Sequence, residues 1–283
     1  MTNDSGSDGQ SLDQARLLDR GAQAEIYEWG DGRVLRLIPQ GDGAAEMLAR
    51  EASVMSAAAA AGVPVPAVHE LVTIEGRPGL VMDRVDGGPM LSTMLGRPWR
   101  LLPLVGRFGM IQAEIHALDA PDEIDNVQDW SRRQLAKLAV ADGDLGSRAE
   151  EELERLPTGR SLLHGDYHPL NLLMAESGEP QVIDWPAAAA GPPEADVART
   201  LVLIEAAEPP NGSPIMLKLL GAFRTRLFIP RYLRAYERVR PLDRALVERW
   251  RLVRAIERLA EAPPGEERAL REMIQRAAAS EVR

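Results

Sequence analysis

The order in which hydrophobic periodicities follow one another limits the fold of this chain more than any other feature. Up to Met82, short runs of period two dominate. Ala24–Trp29 and Val34–Ile38 flank a Gly30-Asp31-Gly32 turn, and Leu71–Glu75 and Leu80–Met82 flank Gly76-Arg77-Pro78-Gly79. Between these hairpins lies one helical stretch, Ala44–Ala61, closed by Gly62, Pro64 and Pro66. Strand, strand, helix, strand, strand makes a small α+β unit. Asp86-Gly87-Gly88-Pro89 then breaks the pattern. Beyond it the spacing is helical: Leu104, Val105, Phe108, Ile111, Ile115 and Leu118 share one stripe, and helical patterns run from Glu194 to the end, broken near Pro209, Pro241 and Pro263-Pro264.

Composition narrows the function classes. A chain of 283 residues, 45% hydrophobic and 27% charged, can bury a sizeable core and is neither disordered nor fibrous. Its net charge of -10 argues against a general nucleic-acid binder. With no cysteine there is no disulfide framework, thiolate nucleophile or Cys-bound zinc. The stretch Met1–Gln10 is polar and acidic where a signal peptide is basic then apolar, and no apolar run approaches a membrane span, so a cytoplasmic protein with a disordered tail over residues 1–13 is expected. Lysine occurs only at Lys137 and Lys218. The charge is polarised: residues 1–204 hold 17 basic and 32 acidic side chains, residues 205–283 hold 16 and 11.

One island interrupts the helical region. Residues 161–185 contain Leu163-His164-Gly165-Asp166-Tyr167-His168-Pro169-Leu170-Asn171 and, after a second hairpin, Val182-Ile183-Asp184-Trp185. With Ser177-Gly178 at the turn, opposed residues have numbers summing to 355, which sets Asn171 across from Asp184. An amide oxygen and a carboxylate so placed make a hard, oxygen-only site suited to Mg²⁺. Asp166 lies five residues before Asn171, the spacing of the kinase catalytic loop, where the Asp orients the acceptor hydroxyl and the Asn holds metal. Two plainer readings stand beside this one: a transition-metal cluster of His164, Asp166 and His168, and a structural hairpin with solvated polar ends. His164 and His168 themselves read as packed, hydrogen-bonded residues.

The paired motif resembles the signature of the aminoglycoside phosphotransferase family, which includes choline-kinase-like and other small-molecule kinases. The similarity spans about residues 16–200. It implies an α+β, two-lobed protein-kinase-like fold, with a small antiparallel-sheet N-lobe at 14–86 and a mainly helical C-lobe at 87–283 carrying the catalytic hairpin 161–185 and the acceptor pocket. By the same resemblance Asp166 is the catalytic base, Asn171 and Asp184 are the magnesium ligands, and Asp196 is a structural aspartate bracing the catalytic loop, with His164 in support.

The N-terminal unit carries its own signal. Glu51 falls within the apolar stripe Met47, Leu48, Val54, Met55 and Ala58, and Arg36 sits inside the apolar strand Val34–Ile38. Each charge is costly unless paired, so the two are expected to pair with each other. They resemble the kinase pair of strand Lys and helix Glu, with Arg in place of Lys; an ion pair that only ties helix to sheet is the plainer reading. Gly21, Ala22 and Gln23 stand where kinases have the Gly-rich loop, or form an ordinary hairpin turn. Met82, Asp83 and Val85 resemble the interlobe hinge, with the Asp83 carbonyl and the Val85 amide bonding the purine; the plainer reading is an edge strand entering a linker.

These readings converge on Mg²⁺-dependent transfer of the γ-phosphoryl group of ATP or GTP to a hydroxyl of a small molecule such as an antibiotic or amino sugar, with no nucleic-acid or membrane partner and no signal for oligomeric state. The alternative is an inert nucleotide-binding pseudokinase or scaffold on the same fold. A protein kinase is disfavoured by the short connection from Trp185 to Glu194. Eleven arginines between 224 and 258 read mostly as a solvated helix face and lower the expectation of a strongly cationic acceptor. Trp185, Phe228, Tyr232, Tyr236 and Trp250 are candidates for its pocket, or core residues at helical spacing.

Overall fold

The computed structural model describes residues 12, 15–21, 24–138, 143–207, 221–261 and 265–280. Apart from Leu12, the expected tail over residues 1–13 lies outside them. Chain packing divides the protein into two compact units, Gly88 and the residues before it with Leu172–Pro186, and Pro89–Asn171 with Ala187 and the residues after it.

The first unit holds a five-stranded antiparallel sheet in the order β1-β2-β3-β5-β4, from β1 (Leu17–Arg20), β2 (Glu25–Glu28), β3 (Arg33–Leu37), β4 (Val68–Ile74) and β5 (Arg77–Asp83). Trp29, Leu35, Leu37 and Val81 form a core cluster with Tyr27, Val72 and Ile74 against it. Helix α1 (Ala44–Ala60) buries Leu48, Val54, Met55 and Ala58, while Met47, expected in the same stripe, is exposed.

Two local features depart from the sequence reading. Strand β1 precedes the two strands expected before Ile38; its burial is slight, so hydrophobic alternation barely marks it. The second hairpin turns at Glu75-Gly76, both with positive φ (51° and 75°), while Pro78 and Gly79 lie in β5 opposite Thr73 and Val72. A two-residue turn of that hand matches the right-handed strand twist, and it displaces the longer turn that Pro and Gly suggest.

The second unit is mainly helical: α2 (Met90–Gly96), α3 (Pro98–Ile115), α4 (Val127–Leu138), α5 (Gly143–Glu154), α6 (Pro193–Ala206), a π-helical turn at Arg224–Phe228, α7 (Ile229–Glu237), α8 (Arg244–Ala260) and α9 (Glu267–Ser280). Leu104, Val105, Phe108, Ile111 and Ile115 are buried as expected; Leu118 lies beyond the end of α3 and is half-buried. On α8 the buried Arg254 sits over the rings of Trp130 and Trp250 and pairs with Glu257 at 2.8 Å. No described helix is long and apolar enough to cross a membrane.

The 161–185 island is divided between the units. Strand β6 (Ser161–Leu163) pairs with β9 (Ala189–Gly191) in the helical unit. The hairpin β7 (Leu172–Met174) and β8 (Pro180–Val182) groups with the sheet unit, where the Met174 amide donates to the Gly88 carbonyl at 2.9 Å and the Val182 amide to the Pro64 carbonyl at 2.8 Å. Its register pairs Leu172 with Val182 and Leu173 with Gln181, one residue off the expected sum of 355. The cause is the loop: the Gly178 amide closes on the Ala175 carbonyl at 2.8 Å, and the Ala175 amide donates to the Glu179 carbonyl at 2.9 Å. Three residues, 176–178, therefore lie inside the closing pair Ala175–Glu179, where the expected turn had two.

Candidate active site

In the sheet unit, three charged residues meet. Arg36 projects from β3 and donates through Nη1 to Glu51 of α1, and its Nη2 lies 3.4 Å from Asp184 Oδ1. Both Arg36 and Glu51 are buried, so the pair expected from their apolar surroundings forms. Glu51 Oε1 also accepts the Trp185 amide at 3.3 Å, tying the helix to the segment after β8. Burial pushes the Glu51 carboxyl up, against the pull of the Arg36 guanidinium, and the nearby Asp184 carboxylate pushes the same way. Asp184 is in the left-handed region at φ 66°, a conformation Asp tolerates better than most residues, with its side chain 46% exposed. A half-exposed carboxylate with one guanidinium nearby suits a hard cation.

The remaining sheet-unit candidates are spread along the strands. Gly21 opens the β1–β2 connection and donates its amide to the Ala24 carbonyl at 2.9 Å, while Ala22 and Gln23 lie outside the described residues. Met82 and Asp83 end β5, and the Asp83 amide donates to the Ala67 carbonyl at 2.9 Å. Among the described residues the Val85 amide has no acceptor.

The helical unit holds the remaining candidates. Asp166 follows β6 on a loop with three fixed points. Asn171 Nδ2 donates to its carbonyl at 3.0 Å and its Oδ2 at 3.2 Å, and His168 Nε2 lies 3.4 Å from the same Oδ2. The Asn171 amide oxygen is left without a described partner, so it can serve a cation. Burial alone would raise the Asp166 carboxyl, but the His168 bond and the charges of His168, Arg199 and His164 bring it down to about 2. His164 is fully buried, and its Nδ1 accepts the Asp166 amide at 3.2 Å. No three His, Asp or Glu side chains among the described residues converge as metal ligands, so the His164–Asp166–His168 cluster is not formed.

Asp196, in the first turn of α6, ties the loop down. Its Oδ1 accepts the Gly165 amide at 2.7 Å; its Oδ2 accepts the His164 amide at 3.2 Å and Gln112 Nε2 at 3.0 Å, and lies 3.0 Å from His116 Nε2. Burial opposes its ionisation, yet these donors hold the carboxyl well below the ordinary range. Gly165 must be glycine: its φ is 79° and an added Cβ would lie 2.1 Å from the Ala187 carbonyl oxygen.

A family model described as the phosphotransferase enzyme family matches residues 14–246. The chain belongs to this family. Among solved structures it is similar to aminoglycoside-3'-phosphotransferase of type VIII, at 22% identity over 86% of this chain and 93% of that one, with a TM-score of 0.60. A thermostable mutant of aminoglycoside phosphotransferase APH(4)-Ia in ternary complex with AMP-PNP and hygromycin B gives 18% identity over 94% and 92%, TM-score 0.60. The GDP complex of a mutant aminoglycoside 2'-phosphotransferase-IIIa gives 15% over 95% and 93%, TM-score 0.55. A sequence comparison with curated proteins gives no match. At such identities the likeness establishes the fold, which is protein-kinase-like as the motif implied.

Within this family member, two sequence expectations about the acceptor side change. Trp185, Phe228, Tyr232, Tyr236 and Trp250 are all buried and form core, not pocket. The expected solvated arginine face is in good part paired: Arg244 with Glu237 at 2.7 Å, Arg249 with Glu152 at 2.6 Å, Arg251 with Glu205 at 2.7 Å and Arg258 with Glu266 at 2.8 Å. Of these four carboxylates only Glu152 lies outside residues 205–283, so the pairing orders the arginines and leaves most of the positive C-terminal balance in place. Sequence reasoning missed Arg199, whose Nη2 lies 4.0 Å from Asp166 Oδ1. Its place three residues after Asp196 on one helix was the available signal.

Proposed function

We propose that this protein transfers the γ-phosphoryl group of ATP or GTP to a hydroxyl of a small molecule in the cytoplasm. The observation that carries the reading is Asp166: one carboxylate oxygen is held by Asn171, and the other, Oδ1, makes no hydrogen bond among the described residues. A carboxylate so held can accept an acceptor hydroxyl at a fixed position. Asp166 is thus the residue that orients the hydroxyl and takes its proton as the oxygen attacks phosphorus. Its low pKa keeps it ionised at neutral pH and makes it an orienting group more than a strong base, which suits a loose transition state.

The N-terminal lobe expected over residues 14–86 takes the nucleotide in this reading. The Asp83 carbonyl and Val85 amide bond the purine beside Met82, the Gly21-Ala22-Gln23 turn covers the phosphates, and Arg36, held by Glu51, reaches them with its second guanidinium arm. Residues 87–283 take the acceptor. Asn171 and Asp184 hold Mg²⁺, which when bound neutralises phosphate charge. The AMP-PNP, GDP and hygromycin B bound by structural relatives support a nucleotide and a hydroxyl-rich acceptor.

The test is ADP or GDP release by the purified chain with Mg²⁺ across aminoglycosides, macrolides, amino sugars and amino alcohols. Turnover that Asp166→Asn abolishes is expected. Nucleotide binding with no turnover on any acceptor would instead assign an inert pseudokinase.

A further inference from the structure

We infer that Arg199 is a positioning residue for Asp166, held in place by Glu261 beyond the end of α8; this rests on the phosphoryl-transfer reading above. Asp196 and Arg199 are one helical turn apart on α6, so they face the same way. Asp196 fixes the backbone of the His164–Gly165 turn, and Arg199 addresses the side chain one residue further on.

The guanidinium is poorly satisfied for a buried cation. Its side chain is 5% exposed, and Nη2 meets Glu261 Oε1 at 2.8 Å and Oε2 at 2.9 Å. Nε and Nη1 are buried and find no acceptor among the described residues. Such an arrangement is a weak stability device, because an apolar side chain of similar size carries no desolvation penalty. Its surroundings point to function.

The two oxygens of Asp166 are treated differently. Oδ2 is taken by Asn171 and His168, and Oδ1 faces Nη2 of Arg199 across 4.0 Å. That gap is too long for a hydrogen bond and short enough for a strong charge interaction or one bridging water. Arg199 therefore draws Oδ1 to one side without occupying it. The carboxylate is set in one rotamer with an oxygen open for the acceptor hydroxyl. Glu261, itself held by Arg258 at 2.7 Å, keeps the guanidinium from closing onto Asp166.

The experiment compares the full chain with Arg199→Met, Arg199→Lys, Glu261→Gln and Asp166→Asn in Mg²⁺ with ATP or GTP. It reads phosphate release to water, product formation on any acceptor found, the Kd of a fluorescent nucleotide, and the thermal midpoint. Arg199→Met is expected to lower kcat about ten- to a hundredfold, as loss of an orienting neighbour does. Nucleotide Kd should stay within about twofold and the midpoint should not fall, since a poorly satisfied buried cation has been removed. Arg199→Lys should recover part of kcat, and Glu261→Gln should fall between wild type and Arg199→Met. Unchanged kcat in Arg199→Met overturns the inference, as does a kcat loss that only tracks a lowered midpoint and weakened nucleotide binding. Should Arg199→Met fail to fold, Glu261→Gln decides: a kcat lowered by roughly threefold or more at unchanged Kd sustains the inference, and unchanged kcat overturns it. A wild-type chain without turnover sensitive to Asp166→Asn overturns the phosphoryl-transfer reading and this inference together. Wild-type turnover that Asp166→Asn abolishes and Arg199→Met spares overturns this inference alone.

Discussion

Arg36 and Glu51 form a buried ion pair between β3 and α1, and the other arm of the same guanidinium lies 3.4 Å from Asp184. One cation thus serves two carboxylates, one structural and one at the candidate metal position. Arg36→Ala strands Glu51 in the apolar stripe of α1, at a cost of about 3 kcal/mol. It should also raise the nucleotide KM and lower kcat. Arg36→Lys keeps one charge in place and should retain more of both. Urea unfolding beside steady-state kinetics separates the two effects: lost stability with wild-type KM and kcat makes Arg36 a structural tie only.

Asp196→Asn replaces the acceptor of four donors with a group that itself donates, and should cost about 3 kcal/mol or more. The dependence on pH follows from the depressed carboxyl. Its contribution is complete above the unfolded value of about 4 and is lost as pH falls below that toward the folded value. The stability gap between wild type and Asp196→Asn should therefore be constant from pH 7 to about 5 and narrow at more acid pH. Urea midpoints across that range check it; a gap independent of pH means that ionised Asp196 is not what holds the loop.

Gly165→Ala forces a side chain into the left-handed region and against the Ala187 carbonyl. A stability loss of about 2 kcal/mol is expected, with a fall in kcat because Asp166 follows directly. Differential scanning calorimetry and kinetics on one sample test this, and an unshifted midpoint would show that the turn relaxes freely.

Asp184→Asn leaves the Arg36–Glu51 pair intact and alters a half-exposed side chain, so little stability should be lost. The Mg²⁺ concentration for half-maximal turnover should rise about tenfold or more, and Asn171→Ala should act the same way. Titration of turnover against Mg²⁺ reads this directly; an unmoved midpoint in both variants removes these residues from the metal site.

Much of the protein is legible without a fold. The helix over 44–60, the hairpin strands and the long helical stripe of α3 follow from spacing alone, because each is a short-range pattern of residues that must leave water together. The Asp166-Asn171 and Asp184 motif is equally local, and an arginine and a glutamate each set among apolar neighbours announce that they need partners. Other features depend on relations that no window of sequence contains. The register of β7 and β8 turns on how a loop closes, and a one-residue change in that loop moves every pair. Asp196 collects donors from α3, the residue after it and the His164–Gly165 turn, up to 84 positions away in sequence. Arg199 and Glu261, 62 positions apart, meet beside Asp166 only because α6 and α8 pack together. Charge and aromaticity were visible in the C-terminal half, but packing decided which arginines found carboxylates and which rings were buried. Those outcomes are sums of desolvation and pairing over the assembled unit, so only the tertiary structure decides them.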